Sequence, residues 1–303
     1  MPAKIVVVGS FNMDLTTYLQ RMPRPGETVM GDRFVTGPGG KGSNQAIAAA
    51  RLGAQVTFIG RVGRDGFGET ALKMWNENGV DTRFVVIDPE RATGVAPIMV
   101  DATGENMIVV ALGANLAVSP ADVDAAVEAI KAADLLVTGL EIPPATAAYA
   151  LTVAKTYGVR TVLNPAPASA LPDATLADAD FLTPNETELE VLTGLGTGEV
   201  ELAARMMLKR PEQTVIVTMG GAGTRYFTAN ESGHVPVFPV DVVDTTGAGD
   251  AFTAGVSVAL GEGLALADAV RFGNAVAGLC VTKPGTASSM PYRAEVDTLL
   301  GKA

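Results

Sequence analysis

Residues 135–164 read LLVTGLEIPPATAAYALTVAKTYGVRTVLN, and their reading decides the fold. Two short β-rich apolar runs, Leu135–Thr138 and Thr161–Leu163, flank a helical stretch, Ala145–Tyr157. The runs read as buried strands, and a strand, helix, strand order predicts a parallel pair. Moving outward, Ile5–Val8, Val56–Ile59, Phe181–Thr183 and Val215–Thr218 read as further buried strands. Ser43–Leu52, Pro120–Ala132 and Glu201–Leu208 read as helices. The alternation predicts an α/β fold, with a mostly parallel central sheet and helices on both faces. Ligands of such sheets sit at the carboxyl ends of the strands. Gly9, Gly60, Gly139, Asn164, Thr183 and Thr218 each end or follow a strand.

Two regions, 13–37 and 83–112, break this pattern with alternating, strand-like character. They are expected to form a small antiparallel β lid that excludes water from the site. Edge hairpins of one sheet are the alternative. The whole of 1–303 reads as one α/β domain, its lid strands drawn from about 13–37 and 83–112.

Composition narrows the function classes. The chain is 48% hydrophobic and 18% charged over 303 residues, ample for a sizeable core. A net charge of −11 argues against a nucleic-acid binder. A single cysteine, Cys280, excludes an intrachain disulfide. The opening Met-Pro-Ala-Lys-Ile runs into a strand with no signal-peptide pattern. No apolar run approaches the ~20 residues of a membrane span. A soluble cytoplasmic protein with no membrane partner is expected. The one histidine, His234, is expected in a solvated turn between short strands, which disfavours a Ser-His-Asp triad or a multi-histidine zinc site. A carboxylate remains as candidate base.

That carboxylate is found in residues 243–255, VDTTGAGDAFTAG. Gly247 and Gly249 precede Asp250, and an apolar helical segment follows to Leu260. Glycines allow a tight turn, and a helix start adds unpaired N–H donors, which together suit a phosphate. An aspartate against an anion site is suited to taking a proton from a hydroxyl that attacks phosphorus. A plain helix cap is the alternative. Phe252 occupies the last glycine position of a dinucleotide fingerprint, and Gly42 replaces the Ser or Thr of a P-loop after Lys41. Neither of those motifs is present.

Four weaker constellations surround it. Asn12 and Asp14 share one side of an extended segment, and amide plus carboxylate suits paired sugar hydroxyls, unless the two form an Asx turn. Gly39-Gly40-Lys41-Gly42-Ser43-Asn44-Gln45 is a glycine-rich turn into a helix. Lys41 and Asn44 would offer donors there, or Ser43 would simply cap the helix. Asn185-Glu186-Thr187-Glu188 opens another helix. Capping by Asn185 or Thr187 competes with Asn185 facing phosphates and Glu188 holding magnesium through water. Residues 218–224 are a flexible turn after a strand, and a β-hairpin would fit them equally.

Taken in order, Asn12-Met13-Asp14, Gly39 to Asn44, Asn164-Pro165-Ala166-Pro167-Ala168, Asn185 to Glu188 and Asp244 to Asp250 resemble the ribokinase/phosphofructokinase-B carbohydrate kinase family. The similarity spans Val6 to Pro291. The Gly-Ala-Gly-Asp segment marks the superfamily, and the Asn-x-Asp and Gly-Gly-Lys-Gly segments favour the ribokinase branch. The resemblance implies ATP-dependent transfer to the 5-hydroxyl of D-ribose. It implies sugar contacts from Asn12, Asp14, Gly40, Lys41, Asn44 and Glu141, with Asp250 as base. Gly247, Ala248 and Gly249 would form the anion hole. Asn185, Thr218, Met219, Gly220, Gly221, Ala222, Gly223, Gly249 and Asn274 would meet the nucleotide. Asn274 stands where family members commonly carry histidine. A potassium ion would sit on the backbone oxygens of Asp244, Thr246, Cys280, Lys283 and Gly285 and the hydroxyl of Ser289, with the Cys280 thiol as buried core. Magnesium would accompany ATP, and the lid would pair two copies into a homodimer. A kinase for another sugar or a nucleoside, or a non-catalytic sugar sensor, are the competing readings.

Overall fold

The computed structural model describes residues 1–301, so the end of the expected 1–303 domain and Lys302 lie outside it. In chain order the strands are β1 (Lys4–Val8), β2 (Asn12–Leu19), β3 (Gly31–Gly39), β4 (Gln55–Gly63), β5 (Asp81–Asp88), β6 (Gly94–Val100) and β7 (Asn106–Ile108). They continue with β8 (Leu135–Gly139), β9 (Arg160–Asn164), β10 (Phe181–Leu182), β11 (Thr214–Thr218), β12 (Thr224–Phe227) and β13 (Ser232–Val235). The described residues build a nine-stranded sheet in the order β13-β12-β11-β10-β9-β8-β1-β4-β5 and a four-stranded sheet in the order β3-β2-β6-β7.

The large sheet is parallel from β11 to β5, and only the β12–β13 edge runs antiparallel. Strand β1 shows why its apolar run is continuous. Ile5 and Val7 enter the core shared with helices Lys41–Arg51 and Ala248–Gly261, while Val6 and Val8 enter the core on the other face with helix Pro144–Thr156. A strand covered on both sides needs apolar residues at every position. Helix Ala248–Gly261 lies within the first of these layers, which accounts for its apolar character all round.

Several expectations need correction. Strand β5 falls in the segment assigned to the lid, yet it pairs in parallel with β4 at the margin of the large sheet. An edge strand is half-buried, so its sequence reads like a lid strand. The lid therefore takes β2 and β3 from the first region and β6 and β7 from the second. Its β2–β3 and β6–β7 pairs are antiparallel, and β2–β6 is parallel. The helix expected over 120–132 is interrupted at Ala126, giving Pro120–Ala125 and Val127–Lys131. The helix expected from Ser43 begins at Lys41. His234 lies inside β13, opposite Arg225, rather than in a turn. Among the described residues, no helix is long and apolar enough to cross a membrane.

Candidate active site

Gly40 sets the geometry on one side of the cleft. Its φ of 87° is the left-handed region, and a Cβ there would stand 2.6 Å from the backbone nitrogen of Asn12. Only glycine lets helix Lys41–Arg51 start this close to β2. Ser43 is not the cap; its hydroxyl accepts the Trp75 indole N–H at 3.0 Å. The Lys41 backbone N–H donates to Glu141 Oε2 at 2.8 Å, and that carboxylate also accepts from Ser10 Oγ and Asn12 Nδ2.

Gly247 sets the other side. At φ 80° it turns the chain into helix Ala248–Gly261 and leaves room for Thr286 and Met290 behind it. Ala248 N–H donates to Thr245 O at 3.2 Å, so it is not a free anion donor as expected. Among the described residues, the N–H groups of Gly249 and Asp250 find no acceptor, as befits a helix start.

Asp250 is not a cap. It sits in the first turn, buried, and its carboxylate accepts from Asn44 Nδ2 at 2.8 Å and Gln45 Nε2 at 3.3 Å. Burial pushes its pKa up to about 6, against the opposing pull of Lys41 and Asn44. Burial disfavours the Lys41 ammonium, but Asp250, Glu141 and Glu188 hold its pKa above the ordinary value. Asn44, having given its amide N–H to Asp250, leaves Oδ1 buried and without a partner among the described residues. A buried unpaired acceptor is costly, and a ligand hydroxyl would satisfy it.

Asn12, Asp14, Gly40, Lys41, Asn44, Glu141 and Asp250, the residues expected to contact a sugar, all line one cavity of about 470 Å³. Ile98, Ile108 and Val110 of the lid region, with Thr246, Gly247 and Thr286, complete its walls. Asp14 is also pushed up to about 6, by burial first and then by Glu141 and Asp250, with Thr286 opposing. A second hollow of about 560 Å³ lies beside Phe67 and Val95. Its one carboxylate, Asp65, is engaged by Phe67, Gly68 and Thr93. No comparable convergence of polar groups occurs there.

Three residues that sequence reasoning did not assign hold this constellation. Asn115 fixes Asn12 by donating to its Oδ1 at 3.0 Å while exchanging bonds with the Phe11 backbone. Gln45 steadies Asp250. Thr286 donates to Asp14.

Of the residues expected for a nucleotide, Asn185 and Thr218 to Gly223 gather at the carboxyl ends of β10 and β11, whereas Gly249 lies in helix Ala248–Gly261. Asn185 bridges to Thr218, and the turn Met219–Gly223 closes through Met219 N–H to Gly223 O at 2.8 Å. That turn joins β11 to antiparallel β12, so the hairpin reading of 218–224 holds. Asn185 and Glu188 form a reciprocal capping box, which engages one Glu188 oxygen. Asn274 differs from expectation. Its Oδ1 accepts from Thr224 Oγ1, and its Nδ2 donates to the carbonyls of Val235 and Pro236, so both amide protons are committed to the sheet edge.

The two segments expected around a monovalent cation do meet. Asp244 N–H donates to Val281 O, and Gly285 N–H donates to the Asp244 carboxylate at 2.9 Å. Burial works against that carboxylate, yet bonds from Thr246 and Gly285 hold it below the usual range. Lys283 N–H already donates to Cys280 O. The Cys280 thiol is buried as expected but lies 3.1 Å from Ser289 Oγ, and burial pushes its pKa up.

Known proteins resemble this chain along almost its whole length. The pfkB family carbohydrate kinases match residues 2–293. Ribokinase of Staphylococcus aureus (strain COL) is 41% identical over 302 residues, covering 98% of this chain and 99% of the relative. Deoxyribokinase of Salmonella typhi is also 41% identical, over 295 residues and 95% of each chain. The structure of Arabidopsis thaliana ribokinase complexed with ribose and ATP has a TM-score of 0.91 at 34% identity, covering 99% of each chain.

Proposed function

The chain belongs to the pfkB family of carbohydrate kinases, and from that membership we propose that it transfers the γ-phosphoryl group of ATP to the 5-hydroxyl of D-ribose. The observation that carries this reading is Asp250, a buried carboxylate at a helix start, in the same cavity as Asp14 and the unpaired Oδ1 of Asn44. Asp14, Asn12, Lys41 and Asn44 supply acceptors and donors to the sugar hydroxyls. Asp250 accepts the proton of the attacking hydroxyl, and the N–H groups of Gly249 and Asp250 receive developing charge on the phosphoryl group. Lys41 keeps its positive charge near Asp250 and Glu188, which suits it to the same anion.

ATP would lie along Asn185 and the turn from Thr218 to Gly223. Gly220 and Gly221 have open space where a Cβ would be, so the backbone can approach a phosphate or base. Asn274 offers only a remaining Oδ1 lone pair. Magnesium neutralises phosphate charge, and the free oxygen of Glu188 would orient its water shell. Potassium would be held by the carbonyls of Asp244, Thr246, Cys280, Lys283 and Gly285 and by Ser289, stiffening the turn before Gly247. The exposed Met30, Phe34, Val35 and Val109 support pairing of two lids. A sedimentation mass near one 31.1 kDa chain would exclude that pairing.

A second reading, phosphorylation of 2-deoxy-D-ribose, is favoured by the equal identity to a deoxyribokinase. The test is ADP release with ATP and a panel of D-ribose, 2-deoxy-D-ribose, fructose, 2-keto-3-deoxygluconate and nucleosides. A higher kcat/KM for D-ribose than for any other member is the expected result. Preference for another sugar or a nucleoside would overturn the assignment.

A further inference from the structure

Asp14 stands on the lid strand β2, whereas Thr286 belongs to the segment packed behind the anion turn. Thr286 Oγ1 lies 3.1 Å from Asp14 Oδ2 and 2.9 Å from Pro38 O, so its single proton is shared between two acceptors on adjacent lid strands. Among the described residues it is the sole hydrogen-bond donor to Asp14. The same residue lies against Gly247, where a Cβ would be 3.5 Å from Thr286 Cα. Its carbonyl accepts Ser289 Oγ at 2.7 Å, which keeps the segment folded back on itself. Arg51 holds the segment from outside, through the carbonyls of Ala287 and Met290. One hydroxyl thus joins a firmly braced segment to a carboxylate of the sugar cavity.

We infer that Thr286 is a positioning residue for sugar recognition, orienting the Asp14 carboxylate and fastening the base of the lid through its hydroxyl. This rests on the reading of the cavity as a sugar site. A carboxylate turns about its last side-chain bond unless a donor fixes its plane. Fixing it in advance leaves less freedom to lose when the sugar binds. The hydroxyl touches neither Asp250 nor, through any bond, the free N–H groups of the turn. Its loss therefore acts on sugar affinity more than on the chemical step.

The test compares Thr286→Val, which keeps the shape and removes the donor, with Thr286→Ser, which keeps the donor. Steady-state kinetics are measured with the sugar that wild type prefers in the panel above. The expected result for Thr286→Val is a sugar KM about tenfold higher, the scale of one charged hydrogen bond, with kcat moving less than threefold. Thr286→Ser should restore the KM to within about twofold. In an Asp14→Ala background, which removes the acceptor, the valine substitution should have little further effect on KM. An unchanged KM in Thr286→Val, a serine variant as impaired as valine, or a full effect without Asp14 would overturn the inference. If Thr286→Val does not fold by thermal melting, Thr286→Ala carries the same comparison. Failure of wild type to phosphorylate any sugar in the panel would instead overturn the functional reading itself.

Discussion

Asp250 is the residue proposed as the base, and its environment makes a pH prediction. Burial raises its pKa to about 6, and a base must be unprotonated to act. The rate at limiting sugar should therefore fall as pH drops below about 6 and level above it. Asp14 titrates in the same range and faces Asp250 and Glu141, so the observed limb belongs to the pair. Asp250→Asn should lower kcat by roughly 10²–10⁴, and Asp250's share of the acid limb should vanish from the residual activity. Rates measured from pH 5 to 8 decide it: near-normal kcat in the variant would remove Asp250 from the role of base. The sequence made this aspartate legible because two glycines and a helix stand beside it in the chain. Its supports were not legible. Gln45 lies 205 residues from Asp250, Asn115 lies 103 from Asn12 and Thr286 lies 272 from Asp14. Each acts through long-range polar contacts that only folding creates, and no local pattern announces them. The commitment of Asn274 to the β13 edge escaped for the same reason.

Among elements, the strands buried on both faces were readable because a continuous apolar run that is short, β-branched and bounded by turn residues suits a doubly covered strand. The margins were harder. Strands β5, β12 and β13 are partly exposed, so their residues carry neither a clean alternation nor a solid apolar run. The segment pair 243–247 and 280–289 makes the element-scale prediction. The Asp244 carboxylate binds Gly285 N–H across the two loops, and Cys280 Sγ lies 4.0 Å from Thr246 O, one of the carbonyls proposed to hold potassium. A potassium ion on those carbonyls would restrain the turn whose N–H groups are proposed to receive charge, and preorganised donors are worth most when they need not move. Initial rates should be higher in potassium than in tetramethylammonium at equal ionic strength and fixed magnesium. Equal rates would mean that hydrogen bonds alone hold the loops, a result compatible with Asp250 remaining the base.

The whole molecule gathers acidic groups at its cleft, and stability should record that. Asp14 and Asp250 are each held near pKa 6 in the folded chain, against 3.8 as the ordinary value, chiefly because burial disfavours their charged forms. The folded state then binds protons more tightly than the unfolded state between those values. The stability this confers is fully present below about 3.8 and is lost as pH rises through about 6. Carboxylates with lowered pKa, such as Asp65, Asp81 and Asp244, act in the opposite sense, but their contribution fades only as pH falls through their depressed values. Between pH 7.5 and 5 the cleft pair therefore dominates, and a net charge of −11 pushes the same way as acid relieves self-repulsion. The pair should contribute about 2–3 kcal/mol over that interval, enough to raise Tm by several degrees on acidification. Charge repulsion at the surface would produce a similar trend, so the discriminating protein is the double variant Asp14→Asn with Asp250→Asn. It leaves the surface intact and removes both titrations. Thermal melts from pH 7.5 to 5 should show a shallower rise in Tm for this variant than for wild type. Parallel curves would show that the two carboxylates titrate alike in the folded and unfolded chain.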